Sequence, residues 1–463
     1  MLVIGGGLAG LASAVALAEA GIEVQLFEKR PHLGGRATSY SLPDGAEVDN
    51  CQHVTLGCCT NLDDFYRRAG AAGKIRFYDT LYFVDRAGRR STMRASSWMP
   101  PPLHMTGSFL TFGALSFADK RSIARAMLAI ARSGGRPRGI ESLSMQEWLH
   151  RMKQTPDAIH RFWRVVLVSA LDEELDRTDA RYGIDVFWKA FLGSRGGYRI
   201  GIPSVPLADL YEGCREGIAA RGGRVALRHG VREICVRDGR FAGVALENGE
   251  ALTADACIAA VPHTALPAML PRVMSEAGGE LAGLRMIRTS PITGVHLWFD
   301  RPVMAEPFLT LLDHTTQWVF NKTVLYGEPS GQRQYLQLVI SASYDLVSKS
   351  RQEIIDLCRG ELAEILPATR EAQLEKATVV KEIAATFSPQ PGVDQWRPAQ
   401  KTAVSNLYLA GDWTSTAWPS TMEGAVRSGY LAAEAVLAGF GRPQKILRPD
   451  LPFEGLSKMW SKQ

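Results

Sequence analysis

The sequence predicts an α/β fold in which a parallel-sheet domain is interrupted by a second domain of mixed β-sheet plus helices. Three observations predict it. The chain opens on a short apolar strand, a glycine turn and a helix. Strand-like alternation resumes only near residue 200, after a long stretch without a strand–helix–strand rhythm. A late apolar strand ends at Gly411-Asp412 and leads through a loop into a helix of small residues. The parallel-sheet domain is therefore assigned to residues 1–75, 195–290 and 385–440, and the second domain to 76–194 and 291–384. Residues 441–463 are polar, contain proline and read as a surface tail.

The opening segment is the most informative. Glycines stand at 5, 7 and 10, and Ile22 to Phe27 reads as the next strand, ending at Glu28. In this Rossmann-like pattern Gly5 makes the tight turn, Gly7 lets the backbone approach a pyrophosphate, and Gly10 lets helix pack on strand. The first helical turn aims its free N–H groups at phosphate. Glu28 can accept from a ribose hydroxyl, which favours FAD or NAD over NADP. Leu11, Val15 and Ala18 give the helix an apolar stripe, and Gly21 follows as a C-cap. Beyond Glu28, Gly34-Gly35-Arg36 suits a loop folding back over the same pyrophosphate. Arg36 would supply a charge-assisted contact there; the competing reading is a solvated surface arginine.

Composition narrows the class. A net charge of +5 with no dense Lys/Arg run argues against nucleic acid as a partner. Seven cysteines without CxxC spacing argue against a disulfide framework or a zinc site, and for a reducing, cytoplasmic compartment. No metal site is expected. The vicinal pair Cys58-Cys59 reads as packing, because adjacent cysteines close only a strained ring. The apolar start lacks a basic n-region, so it reads as a strand and not a secretion signal. That strand is short: the natural start lies a few residues upstream, or the strand is clipped. No uncharged stretch reaches the roughly 20 residues of a membrane-spanning helix.

The middle of the chain is greasy and basic by turns. Trp98 to Phe117 holds Pro100-Pro101-Pro102, then Phe109, Leu110, Phe112, Leu115 and Phe117. Lys120 to Arg132 follows as a helix with Arg121, Arg125 and Arg132 on one side and Ile123, Met127 and Ile130 opposite. Such a pair can lie on an anionic membrane; a core-facing helix with a solvated basic face fits equally. Arg161 to Leu175 is a further helical stretch. Asn248-Gly249 marks a hairpin, and residues 291–345 hold several strands.

Together, the glycine turn, Gly34-Gly35-Arg36 and the segment from Leu409 to Ala425 resemble the FAD-dependent amine oxidase and phytoene desaturase superfamily. More particular stretches, Asp49 to Gly57, Cys58 to Leu62 and Gln317 to Lys322, resemble the squalene-associated FAD-dependent desaturases, also called hydroxysqualene dehydroxylases. Where that pattern usually carries a glycine, between Asn50 and Gln52, this chain has Cys51. The resemblance implies FAD as cofactor. It implies that Gly5, Gly7, Gly10, Gly35 and Arg36 contact the pyrophosphate and Glu28 the ribose. It implies backbone contact of Val231 with the adenine, and Gly411 and Asp412 near the ribityl and phosphates. Met422 would present its backbone N–H to the flavin pyrimidine edge, where a helix N-terminus stabilises reduced flavin.

The implied reaction is reductive dehydroxylation of hydroxysqualene to squalene, in hopanoid and squalene biosynthesis. The leaving hydroxide must be protonated, and an allylic cation must sit dry beside the reduced flavin. His53 is the first candidate acid, because a histidine titrates near working pH, and Asp49 the second. The competing readings make His53 a structural histidine and Asp49 a loop anchor. Gln317, Trp318 and Asn321 are candidates for a substrate tunnel, against a reading as core. Lys322 invites comparison with the flavin-facing lysine of amine oxidases, but its local context differs and the role is not assigned. A C30 substrate is too insoluble to diffuse freely, so docking on a membrane surface is expected from residues 98–132. The sequence leaves the electron donor open. The alternatives are a carotenoid or diapocarotenoid desaturase on the same scaffold and a non-enzymatic isoprenoid-binding chaperone.

Overall fold

The computed structural model describes residues 1–276, 278–328 and 333–461. Five short strands form one wholly parallel sheet in the order Arg224–Leu227, Gln25–Glu28, Leu2–Ile4, Cys257–Ala259, Leu407–Leu409. Its strands lie at 2–4, 25–28, 224–227, 257–259 and 407–409 of the chain. Parallel strands need both faces covered, and side chains alternate between two cores. Leu2, Ile4, Cys257 and Ala259 point into one core with Ile234, Phe241 and Val244 of an antiparallel three-stranded sheet. Val3, Leu26, Ile258 and Tyr408 point into the other, under helices.

The helix Leu8–Glu19 is buried on every side from Leu8 to Ala18, not along a stripe. It is sandwiched between the sheet and the helix Met422–Gly439. Small residues permit this. A Cβ placed on Gly429 would lie 2.3 Å from the carbonyl oxygen of Ala9. Gly21 follows with φ +78, the left-handed conformation that ends helices.

A second, seven-stranded sheet runs Leu374–Phe387, Thr289–Phe299, Gln334–Ile340, Trp318–Asn321, Phe308–Leu311, Leu81–Val84, Arg90–Met93. Its pairs are antiparallel except that between Phe308–Leu311 and Leu81–Val84. Residues from both inserted pieces thus build one sheet, backed by the helix Arg351–Ile365.

Several elements differ from expectation. The second strand starts at Gln25, because the Ile22 N–H is taken by the Leu17 carbonyl in the turn that closes the first helix. The helical stretch near 161–175 is split into a π-helical turn, Ile159–Trp163, and an α-helix, Arg164–Leu171. The helix before Arg132 begins at Phe117, three residues early, because Ser116 and Asp119 form a reciprocal capping box. The C-terminal segment is no loose tail. Thr60 and Asn61 donate to the carbonyls of Pro449 and Arg448, Phe453 stacks on Trp188, and Ser457 is buried against Leu192.

Candidate active site

The glycine turn is built as the phosphate-loop pattern demands. Gly5 has φ +104, and its N–H donates to the carbonyl of Phe27 at 2.8 Å. A Cβ on Gly10 would sit 2.0 Å from the Gly5 carbonyl oxygen, so only glycine fits. Gly7 precedes the helix with no side-chain cap, and the first turn carries no acidic residue. Its leading N–H groups remain free to meet an anion. The Gly34-Gly35 loop returns onto this turn: Gly34 N–H donates to Gly6 at 2.8 Å, and a Cβ on Gly35 would lie 3.0 Å from the Gly7 Cα. A cradle of bare backbone and uncapped donors fits a pyrophosphate.

Glu28 is buried at the strand end and braces the same turn. Its carboxylate accepts the N–H groups of Gly6 at 2.6 Å and Arg30 at 2.8 Å. Each oxygen keeps a second lone pair for a ribose hydroxyl. Just before Val231, the His229 N–H donates to the Glu28 carbonyl at 2.9 Å, which brings the start of the strand Val231–Arg237 beside this end of the site.

Arg36 does something the sequence did not reveal. It donates to the Asp412 carboxylate at 2.6 Å and to the carbonyl of Ala385 at 2.6 Å, joining three distant segments. Asp412 also receives the Ser420 hydroxyl. Burial opposes ionisation of Asp412, but the Arg36 charge and the Ser420 and Arg36 hydrogen bonds outweigh it and hold the carboxyl below the usual range. The loop that follows is wound around Arg397, which is buried. Its guanidinium donates to the carbonyls of Asp412, Thr414 and Trp418 at 3.0, 2.6 and 2.8 Å, and lies over the Phe387 ring. Met422 opens the last long helix, where Thr421 caps the Gly424 N–H at 3.0 Å. Glu423 reaches back to the N–H groups of Asn61 and Leu62, starting the helix Thr60–Arg68.

The two stretches that carried the finer resemblance meet in the interior. Lys322 is fully buried and donates to Asp49 at 2.7 Å and to Gln52 at 2.8 Å. Asp49 further accepts from Ser39 at 2.6 Å, the Leu207 N–H at 3.0 Å and the Tyr326 hydroxyl at 3.2 Å. Burial alone would raise the Asp49 carboxyl; Lys322 and these donors reverse that and hold it below its usual range. An ionised carboxylate with every lone pair engaged gives no proton. Asp49 is thereby corrected from candidate acid to anchor.

His53 is corrected as well. Its Nδ1 lies 2.9 Å from the Cys51 carbonyl, an atom that only accepts, so Nδ1 carries the proton and Nε2 a lone pair. Burial lowers the ring below its ordinary value despite that bond. A neutral histidine with an open Nε2 is an acceptor, not a ready donor. The Cys51 thiol is pushed up to about 12 by burial and is inert.

The tunnel expectation fails for two of three residues. Gln317 exchanges both amide groups with the Ser341 backbone, at 2.6 and 3.2 Å. Asn321 caps the Val324 N–H and donates to Met304. Buried amides that complete such pairs are structural. Trp318 is partly open, but its ring stacks on Phe320 and its N–H donates to Ser169 at 2.7 Å. Cys58 packs against Trp418 and Ala190. Among the described residues no group of His, Cys, Asp or Glu is arranged to hold a metal ion.

Comparison with known proteins names the architecture. The model of the flavin containing amine oxidoreductase family matches residues 8–437. The chain belongs to this family. Its cofactor is FAD. Among curated relatives, zeta-carotene desaturase of Synechocystis sp. is 27% identical over 479 residues, covering 96% of this chain and 98% of the relative. The 15-cis-phytoene desaturase of Synechococcus elongatus is 26% identical, covering 94% and 95%. Among solved structures, an oxidoreductase from Methanosarcina mazei matches with a TM-score of 0.73 at 20% identity, covering 92% of this chain and 98% of that one. Putrescine oxidase bound to putrescine matches with a TM-score of 0.70 at 17% identity, covering 94% and 98%. These structures share the fold.

Arg36 offers a direct test of the cofactor clamp. Arg36→Met removes a charge-assisted bond to Asp412 and leaves that carboxylate buried. FAD affinity, read by flavin fluorescence during dialysis, should weaken about 10- to 100-fold. Unchanged affinity would contradict the clamp.

Proposed function

We propose that this flavoenzyme reductively dehydroxylates a C30 allylic alcohol, hydroxysqualene, to squalene. The observation that carries this reading is the buried Asp49–Lys322–Gln52 junction. It couples two stretches, Asp49 to Gly57 and Gln317 to Lys322, that resemble hydroxysqualene dehydroxylases, across 273 residues of sequence. A lysine used up in that junction is not the free flavin-facing lysine of an amine oxidase. FAD, when bound and reduced, supplies a hydride to carbon. The chain would hold its pyrophosphate with the Gly5–Gly10 turn and Gly35, its ribose with Glu28, and its flavin edge with the Met422 helix start. The remaining task of the protein is to bind an apolar chain, exclude water and protonate the leaving oxygen.

A second reading, desaturation of a carotenoid-like polyene, is favoured by the names of the curated relatives. Product analysis by mass spectrometry separates the two. Dithionite-reduced, FAD-loaded protein with hydroxysqualene should yield squalene, and oxidised protein with phytoene should yield no new double bond. The opposite pattern would establish the desaturase and end the first reading.

A peripheral membrane location on the cytoplasmic face belongs to the same proposal. No helix among the described residues is long and apolar enough to cross a membrane. Apolar side chains nevertheless stand in water on one segment and its neighbour: Trp98 is 79% exposed, Leu110 60%, Phe117 80% and Met459 69%. The last of these joins the others because the C-terminal segment docks on Pro101 through the Leu456 N–H. Arg121, Arg125 and Arg132 are exposed on the adjoining helix, while Ile123 and Ile130 face the core. Apolar prongs flanked by cations suit anionic lipid. The protein should float with phosphatidylglycerol vesicles at low salt, and replacing Trp98 and Phe117 by Ser should abolish flotation. Protein that stays wholly in the soluble fraction would contradict the docking.

A further inference from the structure

The helix Arg164–Leu171 ends where Asp172 turns left-handed, with φ 52 and ψ 39. The turn places two adjacent carboxylates inside the protein, Asp172 at 3% and Glu173 at 0% exposure. Among the described residues one cation answers them. Arg177 pairs with Glu173 at 2.9 Å, and the Tyr344 hydroxyl donates to the same carboxylate at 2.8 Å. Among the described residues Asp172 has no cationic partner. Its oxygens meet the Ala342 N–H at 2.7 Å and the Thr386 hydroxyl at 2.8 Å. Two neighbouring buried acids with one counterion cannot both ionise cheaply. Burial, with the Glu173 charge beside it, holds Asp172 well above the usual carboxylate range. A carboxyl kept neutral has a proton to give.

Its place is as informative as its charge. Thr386 lies between Ala385, whose carbonyl receives Arg36, and Phe387, whose N–H donates to Ser420, the residue that holds Asp412. Asp172 therefore touches, from the second domain, the strand end that the cofactor clamp grips. Ser290 faces Thr386 across the strand register. The Ser290 hydroxyl is fully buried, sits beside both Asp172 and Tyr344, and has no settled partner of its own. Tyr344 in turn lines an open, water-accessible pocket of about 580 Å³ with Arg177, Arg288 and Thr289. Hydroxyls both donate and accept; the Ser290 hydroxyl forms no hydrogen bond in the structure, and a proton path from the pocket to the buried carboxyl requires it to turn between Tyr344 and Asp172.

We infer that Asp172 is the acid that protonates the departing hydroxyl, recharged from the pocket through Tyr344 and Ser290; this rests on the dehydroxylation proposed above. The Asp172 O–H bond breaks and its proton joins the allylic hydroxyl oxygen. The C–O bond then breaks with both electrons on oxygen, and water leaves. The cationic carbon takes the hydride that reduced FAD supplies, a two-electron reduction whose equivalents come from dithionite in the assay. The Asp172 carboxylate regains its proton from water in the pocket. No step uses His53 or Asp49.

The test uses the full, FAD-loaded chain and two variants. Infrared spectra without substrate should show a protonated carboxyl band in the wild type that disappears in Asp172→Asn and persists in Ser290→Ala. With hydroxysqualene, Asp172→Asn should lose about 100-fold or more in turnover, and Ser290→Ala should slow to a smaller degree. The phosphate ester of the same alcohol carries its own proton on phosphate and leaves as hydrogen phosphate without help from Asp172, so both variants should reduce it at wild-type rates. Absence of the infrared band, or equal slowing of alcohol and ester in Asp172→Asn, overturns the assignment. A wild type inert towards both compounds overturns the reaction reading, and the acid role with it, whatever the infrared band shows.

Discussion

The buried ion pair between Asp49 and Lys322 is the constraint on which the rest of the site depends. Taking two charges out of water costs several kcal/mol each, and the pair is tolerable only when its other hydrogen bonds are complete. Here they are. Ser39, Leu207, Tyr326 and Gln52 satisfy what the pair leaves over. Ser39 and Asp49 belong to the strand pair beyond the Gly34-Gly35 loop, and Lys322 opens a turn at the end of a strand in the seven-stranded sheet. One contact thus fastens the loop carrying Cys51 and His53 to the second domain. Burial pulls Lys322 below its ordinary value while Asp49 is held below its own. With four donors aimed at it, the carboxylate is ionised, and the ammonium between two acceptors stays protonated.

A second tie closes the ring from the other side. Arg36 joins Asp412 and Ala385, and Arg397 fixes the loop beyond Asp412 by its carbonyls. Three separated pieces of chain are therefore held around one place by two arginines and one lysine. Each of the three donates to protein groups: Arg36 to Asp412 and Ala385, Arg397 to the loop carbonyls, and Lys322 to Asp49 and Gln52. The bare backbone of the glycine turns is what they leave open, and this division suits a large anionic cofactor that needs a rigid, uncharged cradle.

What the sequence made legible was local or patterned. The glycines at 5, 7 and 10 dictate their own turn, and strand runs such as Leu407–Leu409 declare themselves by unbroken apolar residues. Arg36 and Asp412 were legible as participants but not as partners, because nothing in either neighbourhood encodes a contact 376 residues away. The same limit explains His53 and Asp49. A histidine and an aspartate in a motif look like chemistry until their partners are known, and here the partners are a backbone carbonyl and a lysine. Gln317 and Asn321 misled for a related reason: an amide in a strand can serve a ligand or its own backbone, and only the fold decides. Asp172 was invisible, since its character comes from a helix end, a neighbouring acid and the lack of a cationic partner among the described residues. One signal was available: Asp172-Glu173-Glu174 is an acidic run directly after an apolar helix.

A double-mutant cycle measures how strongly Asp49 and Lys322 together hold the loop of Cys51 and His53 to the seven-stranded sheet. Asp49→Asn, Lys322→Met and the double variant are compared by urea unfolding of the FAD-loaded protein. Each single change should be severely destabilising, by about 3–5 kcal/mol, and the double variant should cost much less than the sum, a coupling of about 2–3 kcal/mol. Additive losses, with coupling near zero, would contradict this role of the pair.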